Sequence, residues 1–250
     1  MIESARERFR EENFICFTSD LDWAPEVAIE GILKLFLERG IRPTMFVTHP
    51  SQVINKYKDE IDIGIHPNFI QPSSQGNNID DIIDYCVGLA PETRVFRAHR
   101  WYSSNDIYDR LLRKGFTYES NLCTSMDLVD PYIQRSGMIS FPVFFEDGAY
   151  IMHSDKIDFN MVKQKFMQNG LKVVNIHPMH FALNTPYFQY TRQIKDKLTR
   201  NEWVGMDENM LEDLKYKGKG ITNFIIQLMD LVKVQNIKII TLEQAYKMCI

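Results

Sequence analysis

Short apolar runs alternate with amphipathic stretches along most of the chain, and several runs end in a group able to bind a metal or move a proton. Phe14–Thr18 predicts a strand, followed at once by Asp20 and Asp22. Thr44–Thr48 predicts a second strand, and Ile61–Ile65 a third that is closed by His66. Arg94–Arg97 predicts a fourth, with His99 just beyond it. Phe116–Glu119 and Met138–Phe141 follow, then Leu171–Ile176, closed by His177, and finally Ile237–Ile240. Between them, apolar residues near a 3.6-residue period predict helices. Pro25–Arg39 carries Val27, Ile29, Ile32, Leu33 and Phe36 on one broad face, with Pro25 in its first turn and Gly40 at its end. Further helices are predicted over Ser51–Lys58, Ile79–Leu89, Ser104–Lys114, Asp158–Asn169, Ile221–Val234 and Thr241–Met248. Ser104 suits an N-cap, and Thr241 with Gln244 has capping-box spacing.

Three stretches break the rhythm. Pro67–Asn78 is a long loop rich in Pro, Ser, Gln and Asn, and a loop of that length is usually functional or mobile. The aromatic stretch from Phe141 to His153 reads as irregular, and Asn184–Gly220, polar and weakly periodic, reads as an insertion or lid. Repeated βα units without a dividing linker predict one α/β domain over residues 1–250, built on a parallel sheet. Alternation does not separate a barrel from an open doubly wound sheet, but no GxGxxG follows any strand, which leaves a dinucleotide site unsupported.

Composition narrows the classes. The chain has 250 residues, 44% apolar and 25% charged, ordinary for a globular protein with a sizeable core. A net charge of −4 without a dense basic cluster argues against nucleic acid and anionic membrane surfaces as partners. No stretch has the apolar length of a membrane span, and the first thirteen residues lack the apolar core of a secretion signal. Cys16, Cys86, Cys123 and Cys249 are scattered, with no CxxC pair. Free thiols in a reducing cytosol are therefore expected, with a cytoplasmic location.

In a parallel α/β fold the strand C-termini share one face, and that face carries the active site. Asp20, Asp22, His66, Arg97, His99 and His177 are thereby gathered from distant parts of the chain. Two carboxylates, imidazoles and an arginine at such a place point to metal-assisted hydrolysis. Blander readings stand beside this one. Asp22 also suits the cap of the helix at Pro25, His66 a satisfied hydrogen-bond donor, and Arg97 an ordinary ion pair. His177 and His180 are three apart, and Pro178 between them leaves the role of His180 open.

In order, the segments FTSDLDW, GIHPNF, RAHRW and VNIHP resemble the motifs of the NodB-homology polysaccharide deacetylases, carbohydrate esterase family 4, and within it the WbmS-like subgroup linked to O-antigen and capsule sugar biosynthesis. The first segment resembles that family's TFDDG, with one residue inserted between the aspartates. The resemblance implies a distorted (β/α)7 barrel holding one divalent metal, often zinc. It implies Asp20 as general base, Asp22 and His66 as metal ligands, Arg97 as the group orienting the base and His177 as general acid. The expected reaction is hydrolysis of the N-acyl group of a sugar or polysaccharide precursor.

The chain departs from the pattern where a second metal-binding His is expected, because Ile70 occupies that position. Gln75 is the candidate stand-in, although amides are poor zinc ligands. His99 or His180 could supply the third ligand instead, or the metal binds weakly, or the chain is a catalytically impaired homologue that binds carbohydrate. For the acid that orients His177, Glu119 is the nearest candidate in sequence.

Overall fold

In the computed structural model, which describes residues 2–250, ten strands form one curled sheet. They are β1 (Asn13–Asp20), β2 (Thr44–Val47), β3 (Asp62–Ile65), β4 (Val95–Phe96), β5 (Tyr118–Glu119), β6 (Tyr132–Ile133), β7 (Ile139–Ser140), β8 (Val143–Glu146), β9 (Gly170–Asn175) and β10 (Lys238–Ile239). The order is β6-β7-β5-β4-β3-β2-β1-β9-β8, with β10 on the first residues of β1. Every pairing is parallel except β6 with β7. The segment after β5 draws the curled sheet together. Cys123 bridges Val143, whose N–H donates to the Leu122 carbonyl at 2.7 Å and whose carbonyl accepts from Thr124 at 2.9 Å. The result is the expected α/β fold with a barrel-like parallel sheet.

Strand pleating decides what fills the inside. Along β1, Ile15 and Phe17 pack outward under the helices, while Phe14 and Cys16 point inward with Phe46, Val95, Tyr118, Leu171 and Val173. The helices Ile2–Glu11 and Leu242–Cys249 close the bottom of this apolar column through Ala5, Phe9, Leu242 and Ala245. Two residues higher the inward positions turn polar together: Thr18 and Asp20 on β1, Arg97 after β4, Ser120 after β5 and Asn175 on β9. The lower half of the barrel is thus a core and the upper half a site.

Four stretches differ from the sequence reading. The N-terminal helix was hidden by its charge, since Ala5 and Phe9 are its only buried residues. The helix expected over Asp158–Asn169 is two short pieces, Phe159–Met161 and Lys163–Met167. The aromatic stretch read as irregular holds β8 and the helix Asp147–His153. The polar region 184–220 contains three short helices: Gln189–Lys195, Arg200–Val204 and Glu208–Leu214. Among the described residues, no helix is long and apolar enough to cross a membrane.

Candidate active site

The site begins where β1 ends. Asp20 is its last residue, and the chain then folds back through Asp22 (φ 45°) and Trp23 (φ 56°), both left-handed. Such backbone is disfavoured for non-glycine residues and is held here by its surroundings. Leu21 is fully buried, its N–H donates to the Phe46 carbonyl at 3.1 Å, and the Trp23 N–H donates to Thr48 Oγ1 at 3.1 Å. Asp20 and Asp22 therefore meet through a tight turn rather than along an extended chain. They flank one imidazole: Asp20 Oδ1 is 3.9 Å from His66 Nδ1, and Asp22 Oδ1 is 3.1 Å from His66 Nε2.

Beneath them Arg97, fully buried, forms the floor. Its Nη1 donates to Asp20 Oδ1 at 2.8 Å, Asn175 Oδ1 at 2.8 Å and Thr18 Oγ1 at 2.9 Å. Its Nε and Nη2 donate to the Ser120 carbonyl and Oγ at 2.7 and 2.8 Å. The Phe46 ring lies 4.3 Å from the guanidinium carbon. Asn175 Nδ2 completes the network with a bond to Asp20 Oδ2 at 2.8 Å. A buried guanidinium and carboxylate are tolerable only when paired and hydrogen-bonded in this way.

At the rim, Asp22, His66 and His99 form a cluster whose ligand atoms all lie within 4.8 Å of one another. His99 Nδ1 is 2.9 Å from Asp22 Oδ1. Two donors bound tetrahedrally to one zinc ion stand about 3.3 Å apart. The observed spacing and the mixed O,N,N donor set fit a divalent metal. Burial alone would raise the Asp22 pKa, but hydrogen bonds with His66 and His99 and the charges of His99 and His177 hold it well below the usual carboxylate range. His66 Nδ1 is buried without a hydrogen-bond partner, its nearest carboxylate being Asp20.

Gln75 does not join the cluster. Its Oε1 accepts from the Asn68 N–H at 2.6 Å, and its Nε2 donates to the Thr48 and His66 carbonyls at 3.0 and 3.1 Å. With both ends of the amide bound to backbone, it braces the loop behind His66 and offers no ligand atom. His99 is the third member of the donor set instead.

Opposite, His177 Nε2 lies 3.7 Å from Asp22 Oδ2. Its Nδ1 is 2.6 Å from Asp147 Oδ1 and 3.3 Å from Glu146 Oε1, and its N–H donates to Asp147 Oδ2 at 2.8 Å. Burial pushes the His177 pKa down, but the Asp147 carboxylate, then Glu146 and Asp22, carry it well above the usual imidazole value. Burial, opposed by His177 and aided by Asp147, pushes Glu146 up to about 7. His180 is held below its usual value by burial, and its Nδ1 lies 3.1 Å from Thr185 Oγ1. Asp147, His177 and His180 form a second close group, though the 2.6 Å bond to Asp147 already occupies His177 Nδ1.

Glu119 has no part in this. It is fully buried, but it accepts from the Asn121 N–H and from Gln134 Nε2. The residues missed by the sequence reading are Glu146 and Asp147. The signal was present: Val143-Phe144-Phe145 is an apolar run closed by two acids, as in the other strands.

A family model described as WbmS-like polysaccharide deacetylase matches residues 17–195. The fold is similar to that of a Bordetella bronchiseptica protein named as a polysaccharide deacetylase involved in O-antigen biosynthesis. The TM-score is 0.72 at 20% identity, covering 86% of this chain and 89% of that one. A Mycobacterium smegmatis protein also named as a polysaccharide deacetylase aligns at TM-score 0.45 and 18% identity, over 92% and 93% of the two chains. The 4-alpha-glucanotransferase of Thermococcus litoralis aligns at TM-score 0.53 and 9% identity, over 94% of this chain and 38% of that one. No curated protein matches the chain.

Proposed function

Since the chain belongs to the WbmS-like polysaccharide deacetylase family, we propose that it hydrolyses the N-acyl group of a sugar or polysaccharide precursor with the help of one divalent metal, zinc by preference. The observation that carries this reading is the Asp22–His66–His99 donor set, facing His177 across the pocket above the Arg97-held Asp20. Asp22, His66 and His99 would hold the metal. When bound, it polarises the acyl carbonyl and lowers the pKa of water.

The protein's own groups divide the remaining work. Arg97 and Asn175 fix the Asp20 carboxylate, one on each oxygen. A carboxylate oxygen has a second lone pair, so Asp20 retains the capacity to take a proton from water. Asp147 fixes the His177 ring through Nδ1 and leaves Nε2 facing the pocket. The raised pKa of His177 keeps it an imidazolium near neutrality, able to donate that proton to the leaving amine. The products are a carboxylate and a free amino sugar. The four cysteines are all free thiols, which supports a cytoplasmic site of action. The impaired-homologue reading rested on the missing second His, and His99 supplies an imidazole in that role.

The test is elemental analysis together with acetate release from N-acetylated sugars. Stoichiometric metal after loading with zinc, cobalt or nickel is expected, with acetate release reduced roughly 10²–10⁴-fold in folded His177→Ala. Absence of stoichiometric metal, or near wild-type release by that variant, would overturn the reading.

A further inference from the structure

A second cleft, of about 370 Å³, opens beside the rim between the loop after β3 and the 184–220 region. Trp23, Asn68, Ser74, Lys195, Arg200 and Trp203 line it. Trp23 follows Asp22 directly, and its ring meets His99 edge-on at 5.4 Å, so one wall of the cleft abuts a proposed metal ligand.

Its charge is unlike the rest of the chain. Residues 191–200, TRQIKDKLTR, carry Arg192, Lys195, Lys197 and Arg200 against a single acid, Asp196, in a protein of net charge −4. Asp196 is paired with Arg192 at 2.8 Å. Among the described residues, Lys195, Arg200 and neighbouring Arg100 have no carboxylate within 4.0 Å. The Lys195 ammonium lies 5.1 Å from the Trp203 ring centre. Burial holds it below its usual pKa, and although Asp22 opposes this, Arg192, Arg100 and Arg200 add to it. Cations crowded against one another at the mouth of a pocket are relieved by an anion. Lysine and arginine together, with amide and hydroxyl donors from Asn68 and Ser74, suit phosphate oxygens. The indole faces of Trp23 and Trp203 suit a ring beside that anion.

We propose that this cleft is an anion subsite for the phosphate or diphosphate at the anomeric oxygen of an activated sugar, whose N-acyl group then reaches Asp22, His66 and His99. The proposal rests on the deacetylase reading for the second half of that statement only. It makes the substrate a glycosyl phosphate ester, in preference to a neutral glycan. A nucleotide and a lipid carrier share this chemistry.

Calorimetric titration of the metal-loaded protein with inorganic pyrophosphate tests it without turnover. Binding is expected, and Lys195→Ala/Arg200→Ala should weaken it by roughly tenfold or more as two charge-assisted contacts are lost. Circular dichroism would check that the double variant is folded, and Lys195→Arg should retain binding. Titration with uridine diphosphate and with farnesyl diphosphate then assigns the source, whichever binds tighter than pyrophosphate naming the carrier. No binding to the wild type, or equal binding to the double variant because the metal alone takes the anion, would overturn the subsite. Acetate release that fails while this binding persists would instead count against the deacetylase reading.

Discussion

The floor of the site and its rim are each built around one aspartate, and the two behave oppositely. On the floor, Arg97 donates through all three of its nitrogens, Asp20 accepts on both oxygens, and both are buried. At the rim, Asp22 is about a third exposed (31%), three imidazoles approach its carboxylate within 4.0 Å, and one of them, His66, keeps a nitrogen with no partner. The floor is complete as it stands, which makes it a rigid base. The rim brings one carboxylate and three imidazoles together and leaves one His66 nitrogen without a partner, a donor set suited to a cation. Rigidity below and openness above let a fixed base act on whatever the rim binds.

The largest effect should come from breaking the floor. Arg97→Met leaves the Asp20 carboxylate buried without its cation, and chemical denaturation should show a loss of about 3–5 kcal/mol. A loss below 1 kcal/mol would mean that the floor is less rigid than its hydrogen bonds imply. At the rim, His99→Ala should leave stability nearly unchanged while weakening metal binding at least roughly a hundredfold, read by competition with a chelating dye. Unchanged affinity would return the third ligand to another residue.

Gln75→Ala probes the ground between the two. It strips partners from the Asn68 N–H and the Thr48 and His66 carbonyls, so stability should fall by about 1–3 kcal/mol with metal stoichiometry intact. Loss of metal without loss of stability would make Gln75 a rim residue after all. The last effect is a slope, spread across a range of pH. The Glu146 carboxyl, raised from 4.5 to about 7, binds its proton more tightly when folded, so unfolding releases a proton between those values. Stability should therefore fall as pH rises through that window, and Glu146→Gln should flatten the fall in denaturation curves measured across it.

Much of the site was legible because Asp20, His66, Arg97 and His177 each sit within three residues of the end of an apolar run, and a parallel sheet gathers such ends. What was not legible depended on side-chain direction. Gln75 is close to His66 in sequence, yet its amide faces the backbone behind that residue. Glu119 also ends a strand, but it points to Asn121 and Gln134. Asp147 was missed for another reason: Pro142 and a run of aromatic residues disguised β8, whose pairing with β9 fixes it as a strand. The N-terminal helix Ile2–Glu11 is more than half charged, and only contact with the last helix and the barrel bottom reveals its purpose.

The pairing of β1 with β9 joins Asn13–Thr18 to Gly170–Asn175. Asp20 reaches Arg97 across 77 positions and Asn175 across 155. Contacts so distant in sequence form slowly, because a long loop must close before any of them is rewarded. During synthesis, β1 would wait with one edge unpaired until some seven-tenths of the chain had emerged to supply β9. The first strand made is thus among the last to be finished. The protein's most aggregation-prone moment should fall in that interval, and a chaperone that binds extended apolar segments would find its target in residues 14–17.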